Sequence, residues 1–289
     1  MSTVLHWLSR RSLGFLHGLG AALGWAGYLL SAGYRQRLRE NAALADIGPA
    51  ERRASVAHAG RMVAEMPRLW LRPAALPLAP AAQWQHAELI AQALAAGRGL
   101  VMLTPHLGTF EVIAQAYAER FGATQPVTAL YRPARQLWLR ELETTARNRP
   151  GLLTAPATLA GVRQMIRALR QGQTVGLLPD QVPPDGMGLW APFFGRPAYT
   201  MTLAAKLALQ TGAPILLTIG ERLPRAAGWC IRVYELPEPL PAAAAFGGDE
   251  VAHQTECAAV MNRAMEFLIR QCPAQYLWGY HRYKAPRTT

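Results

Sequence analysis

The chain has 289 residues, of which 51% are hydrophobic and only 17% charged. That balance excludes a disordered chain, which needs low hydrophobicity and high charge to stay unfolded. Thirty Lys and Arg against eighteen Asp and Glu leave a net charge of +12, which favours anionic partners such as a membrane surface, a phosphorylated lipid, nucleic acid or an acidic protein. Lys206 and Lys284 are the only lysines, so almost all of the positive charge is arginine, whose planar fork suits phosphate. Cys230, Cys257 and Cys272 are odd in number and form no CxxC pair, which argues against a disulfide framework or a zinc cluster.

Between Arg11 and Arg35 lie 23 residues without a charged side chain other than histidine. A helix of that length can cross a hydrocarbon core about 30 Å thick. Gly14, Gly18, Gly20, Gly24 and Gly27 weaken it as a soluble helix but suit close packing in a membrane. Residues 1–34 are therefore expected to form a membrane anchor, with a buried core helix and a cleaved signal peptide as the competing readings. Whether the segment spans or lies in one leaflet stays open.

Residues 35–72 read as helices, broken near Gly48-Pro49 and again around Pro67, with a Pro/Ala connector from Pro73 to Pro80. Apolar strands and helical patterns then alternate. Strands are expected at 99–104, 126–131, 152–154, 174–178, 214–219 and 229–234. Helices are expected at 109–120, 135–148, 158–171, 200–211 and about 250–271. This alternation predicts an α/β fold with a largely parallel central sheet flanked by helices, as a single domain over 35–289 behind the N-terminal anchor.

In such sheets, functional residues gather where strands end and the next helices begin. His106 stands there, after the strand 99–104, with Glu111 five residues further on. If His106 sits in the turn and Glu111 in the first helical turn, the carboxylate reaches back to orient the imidazole as a general base. The alternative is a helix-capping Glu beside an incidental loop His. Arg132 ends the next strand and can either solvate that edge or bind phosphate. Asp180, after Leu178-Pro179, is either a structural cap or a site carboxylate. Gly195 and Arg196 lie in the stretch Pro192–Pro197, read as a loop that either packs on the core or sets a backbone N–H or Arg donor beside an apolar wall. No GxxxxGK[ST], GxGxxG after a strand, HExxH or GxSxG occurs. No aromatic-plus-basic nucleic-acid module is evident.

The ordered blocks Thr104-Pro-His-Leu-Gly-Thr-Phe-Glu111, Tyr131-Arg-Pro133, Pro179-Asp-Gln181, Pro192-Phe-Phe-Gly195 and Pro273–Lys284 give the chain its resemblance. It resembles the lipid A late acyltransferases, the lauroyl/myristoyl transferases of the glycerolipid acyltransferase superfamily, over nearly its whole length. It departs from them at Thr109-Phe110, where the family often carries Asn-Trp. The resemblance implies transfer of a fatty acyl chain from an acyl carrier protein thioester to a hydroxyl of a lipid A precursor, in lipopolysaccharide biosynthesis at the bacterial inner membrane, on its cytoplasmic side. It implies His106 and Glu111 as the catalytic pair, and Arg132, Asp180, Gly195 and Arg196 as substrate contacts. No metal or cofactor is implied. The expected partners are the acyl carrier protein, an anionic glycolipid acceptor and the membrane, and not nucleic acid. Rival readings are an acyltransferase for an ornithine lipid, lysophospholipid or glycolipid, and a metal-dependent hydrolase with His106 and Glu111 as ligands.

Overall fold

Glycine spacing decides how the N-terminal helices meet. In the computed structural model, which describes residues 2–131 and 149–287, the chain begins with α1 (Ser2–Ser9) and α2 (Leu13–Leu30). Two more helices follow, α3 (Ala32–Leu44) and α4 (Pro49–Trp70). The Ser12 and Ser31 hydroxyls cap α2 and α3 by accepting from the backbone N–H of Phe15 and Tyr34. Gly20 and Gly24 of α2 face Gly60 of α4, and a Cβ on Gly60 would collide with the Gly20 carbonyl oxygen. The backbones therefore lie in contact, as small-residue stripes allow.

The N-terminal apolar segment is thus docked lengthwise on α4. Its inner side buries Leu13, Leu16 and His17, and its outer side exposes Phe15, Leu23, Leu29 and Leu30. The break expected near Gly48-Pro49 is present, with Pro49 opening α4 at a position where its missing N–H costs nothing. The break expected at Pro67 is absent, because α4 runs through it. Pro67 falls in the last helical turn, and Val63, whose carbonyl loses its partner, is on the exposed face.

The sheet has seven strands in the order β1-β9-β8-β2-β5-β3-β4. These are β1 (Gln83–Gln85), β2 (Leu100–Leu103), β3 (Val127–Tyr131), β4 (Leu152–Pro156), β5 (Thr174–Leu177), β8 (Ile215–Arg222) and β9 (Trp229–Glu235). The five from β8 to β4 are mutually parallel, while β9 is antiparallel to β8 and β1 runs with β9. Helices α5 (Glu88–Ala95), α6 (Phe110–Phe121), α7 (Leu159–Arg170), α8 (Leu203–Thr211) and α9 (Glu250–Gln271) cover both faces. The expected helix over 135–148 lies outside the described residues.

Side chains of β2 divide between the two faces with the period of two that a strand imposes. Val101 and Leu103 join Met165 of α7, Ala204 of α8 and Met265 of α9 in one core. Leu100 and Met102 join Ile90 of α5 and Val112 and Tyr117 of α6 in the other. Burial on both faces explains why β2 is an unbroken apolar run rather than an alternating one. A short hairpin, β6 (Gly188–Phe193) and β7 (Arg196–Met201), replaces the loop expected around Pro192–Pro197.

Candidate active site

Register brings the site together. Leu103 of β2 pairs with Leu177 of β5 at the ends of both strands, and the chain beyond each reaches His106 and Asp180, three residues on in both cases. Both residues therefore emerge at the carboxyl edge of adjacent parallel strands, where open α/β sheets place their ligands. His106 Nδ1 and Asp180 Oδ1 are 2.7 Å apart, and the His106 backbone N–H donates to Asp180 Oδ2 at 3.0 Å. One carboxylate thus fixes both the ring and the main chain of the histidine.

Asp180 is 1% exposed. Burial alone would raise its pKa, but the charge of His106, the two hydrogen bonds from that residue and the charge of Arg282 hold it below the ordinary carboxylate value. The ionised carboxylate can only accept, so Nδ1 carries the proton and Nε2 is the nitrogen left for a substrate.

The turn around His106 is clamped from two sides. Gly108 has φ of +58°, a region open to glycine, and a Cβ there would collide with the Gly220 carbonyl oxygen of β8. That contact lets Thr109 N–H donate to the Gly220 carbonyl at 2.7 Å. The C-terminal segment closes the other side, with Gly108 N–H donating to the Gln275 carbonyl and Leu107 bridging to Tyr276. Tyr276, Trp278 and Arg282 are buried there. Burial and then the nearby Asp180 charge push the Tyr276 hydroxyl well above its usual pKa, so it stays protonated.

The expected contact from Glu111 to the His106 ring is replaced by Asp180. Glu111 sits in the first turn of α6 and accepts from Trp70 Nε1 at 3.3 Å. Asp180, expected as a structural cap or a site carboxylate and, from the resemblance, as a substrate contact, is the histidine's partner. Phe110, one of the two positions where the sequence departs from Asn-Trp, packs edge-on to the His106 ring with centroids 5.0 Å apart. Gly195 is the second residue of the β6–β7 turn, where Phe194 and Gly195 have φ of +46° and +73°. Two positive φ values in a two-residue hairpin loop give glycine a structural reason to be there. Arg196 is exposed and stacks 4.8 Å from the Tyr283 ring centre. Arg132 lies outside the described residues.

A model of the bacterial lipid A biosynthesis acyltransferases matches residues 10–285. The chain belongs to this family. It is 27% identical to the lipid A biosynthesis lauroyltransferase of Escherichia coli over 198 residues, 68% of this chain and 60% of that protein. It is also 27% identical to the lipid A biosynthesis palmitoleoyltransferase of Escherichia coli and to a lipid A biosynthesis acyltransferase of Shigella flexneri, each over 65% of this chain and 56% of the relative. The chain thus aligns with less than two thirds of the length of these family members. The His106 turn, the Asp180 strand end and the clamping C-terminal segment all fall inside the matched span of the family.

Proposed function

We propose that the protein is a membrane-bound acyltransferase that moves a fatty acyl chain from an acyl carrier protein to a hydroxyl of a lipid A precursor. The His106–Asp180 pair carries this reading. An alcohol is a poor nucleophile near neutral pH, so the acceptor hydroxyl needs a base aligned with its proton. His106 Nε2 takes that proton as the oxygen attacks the thioester carbonyl. Asp180 holds Nδ1–H and stabilises the imidazolium that forms, in the way an aspartate supports a triad histidine. The tetrahedral intermediate collapses with cleavage of the C–S bond, and the imidazolium returns the proton to the departing thiolate. Ester and free carrier-protein thiol are the products, and the base is regenerated.

The +12 net charge supports an acidic carrier protein as donor and an anionic glycolipid as acceptor. The outward apolar residues of α2, with Arg10 and Arg11 before it and Arg35, Arg37 and Arg39 after it, support attachment to the inner membrane, and the carrier-protein donor of this reading puts the catalytic edge on the cytoplasmic side. The test is incubation of the purified protein with an acyl carrier protein thioester and a lipid A precursor, followed by mass spectrometry of the lipid. A gain of one acyl unit in an ester bond is the expected result. No gain with lipid A precursors, but a gain with an ornithine lipid or a lysophospholipid, would move the acceptor to another class.

A further inference from the structure

A cleft of about 610 Å³, which His106 does not line, opens between α2, α4 and the turn that joins β8 to β9. Its walls include His17 of α2, His58 and Arg61 of α4, Arg222 at the end of β8, and Arg225 in the turn. Its charges do not balance. Arg222 is matched by the buried Glu65 carboxylate, to which its Nε and Nη2 donate at 2.6 and 3.1 Å. Glu221 also lines the cleft, but Arg232 engages it. Arg61 and Arg225 form no salt bridge to a carboxylate among the described residues, which leaves two positive charges facing one space.

Hydrogen bonding points the same way. Arg61 Nη1 and Arg222 Nη1 approach opposite nitrogens of the His58 ring, at 3.3 and 3.4 Å. Burial first, then the charges of Arg222 and Arg61, lower the His58 pKa to about 3, so the ring is neutral. A neutral imidazole accepts at one nitrogen only, so it satisfies just one of these two guanidinium groups, and Arg222 Nη1 also reaches Gln275 Oε1 at 3.4 Å. Arg61 Nε is also buried with no hydrogen-bond partner among the described residues. Buried donors of this kind are normally satisfied. The turn supplies a third sign, because Arg225 and Ala226 hold φ of +53° and +58°. Two consecutive non-glycine residues in the left-handed region are strained, and such strain collects at ligand sites.

We propose that this cleft binds a phosphate group, carried on the headgroup of a lipid whose chains lie along the exposed apolar side of α2. Arg61 and Arg225 grip the phosphate from opposite walls, and its oxygens meet the donors that His58 cannot. Phe15 of α2 is exposed directly beside Gly14, which lines the cleft with His17 and Gly18, so headgroup and chains have adjacent places. Arg222 Nη2 also donates to the Gly108 carbonyl at 2.9 Å, which ties this site to the turn that carries His106.

The test is flotation of the full-length protein with phosphatidylcholine vesicles, with and without phosphatidic acid. It compares wild type with an Arg61→Gln/Arg225→Gln double variant and an Arg163→Gln/Arg170→Gln control on α7. The expected result is that the cleft variant loses about tenfold of the affinity gained from phosphatidic acid, while the control, with the same net charge, keeps it. Equal loss in both variants would reduce the effect to general surface charge and overturn the proposal. So would retention of the full gain by a folded double variant. Arg225 is an exposed turn residue, so Arg225→Gln alone gives a well-folded second variant, for which a several-fold loss is expected and no loss counts against the site. Inorganic phosphate separates the two sources of the ligand. If it stabilises wild type to heat but not the cleft variant, and millimolar amounts abolish the phosphatidic acid effect, the site takes free phosphate and the lipid assignment fails. No acyl transfer is measured, so the outcome is independent of the proposed reaction.

Discussion

The His17 imidazole of α2 is hydrogen-bonded to the Glu65 carboxylate of α4, and that carboxylate is 1% exposed. Glu65 also takes two hydrogen bonds from Arg222, so one buried carboxylate ties the N-terminal helix to the end of a central strand. Removing one partner of a buried ion pair leaves an uncompensated charge, at a typical cost of about 3–5 kcal/mol. Glu65→Leu is expected to lose stability on that scale in chemical denaturation, because Arg222 stays buried without its counter-charge. His17→Leu is expected to lose much less, since the Arg222–Glu65 pair survives. Equal effects of the two substitutions would contradict this ordering.

Close packing of α2 on α4 has its own test. Gly60→Leu puts a side chain where the Gly20 backbone lies, so α2 is expected to detach while the sheet stays folded. Limited proteolysis reads this directly, as new cleavage within residues 10–35. Removal of residues 1–34 is expected to lower the melting temperature of the remainder as well as its membrane affinity, because the truncation strips the α4 glycine face. An unchanged melting temperature would mean that α2 contributes nothing to the fold.

Asp180 sets a pH dependence of stability with a definite sign. Its folded pKa lies below the unfolded value of about 3.9, so its contribution is present above that value and is lost as the pH falls through the folded one. Asp180→Asn is therefore expected to cost about 1.5–3 kcal/mol near pH 7. The gap between variant and wild type should shrink as the pH drops below about 4. Urea denaturation of both proteins at several pH values measures it, and a gap that widens in acid would reverse the assignment.

Gly195 separates a structural from a binding role. Asparagine tolerates the left-handed region far better than a β-branched residue does. Gly195→Asn should keep kcat/KM close to wild type, whereas Gly195→Val should destabilise the β6–β7 hairpin by about 1–3 kcal/mol. A large loss of kcat/KM in a stable Asn variant would support Gly195 as a substrate contact.

What was legible in the sequence was what local pattern controls. The apolar run at 99–104 announced β2, and among the described residues the later expected strands and helices up to Gln271 fell within a few residues of their expected places. The strand β1 was missed because three residues, Gln83-Trp-Gln85, give no alternation to read. The β6–β7 hairpin was missed because Pro192 and Pro197 look like loop residues, although they face each other across a two-stranded ribbon that can spare their N–H groups. His106 was legible from its place after a strand. Its partner was not, because Asp180 lies 74 residues away and meets it only because β2 and β5 are neighbours. Strand order is a long-range property, and a nearby Glu111 offered a local substitute.

The most direct measurement is kcat/KM of Asp180→Asn for acyl transfer from the carrier-protein thioester to a lipid A precursor, with melting temperature recorded alongside and His106→Ala as reference. An amide at position 180 cannot stabilise the imidazolium and leaves the Nδ1–H tautomer unenforced. Loss of general-base assistance is worth about 10²–10⁴-fold. A folded Asn variant should therefore fall by about 10²-fold or more, towards the level of His106→Ala. A folded Asn variant with turnover near wild type, while His106→Ala is inactive, would contradict the pairing of His106 with Asp180 as the catalytic unit.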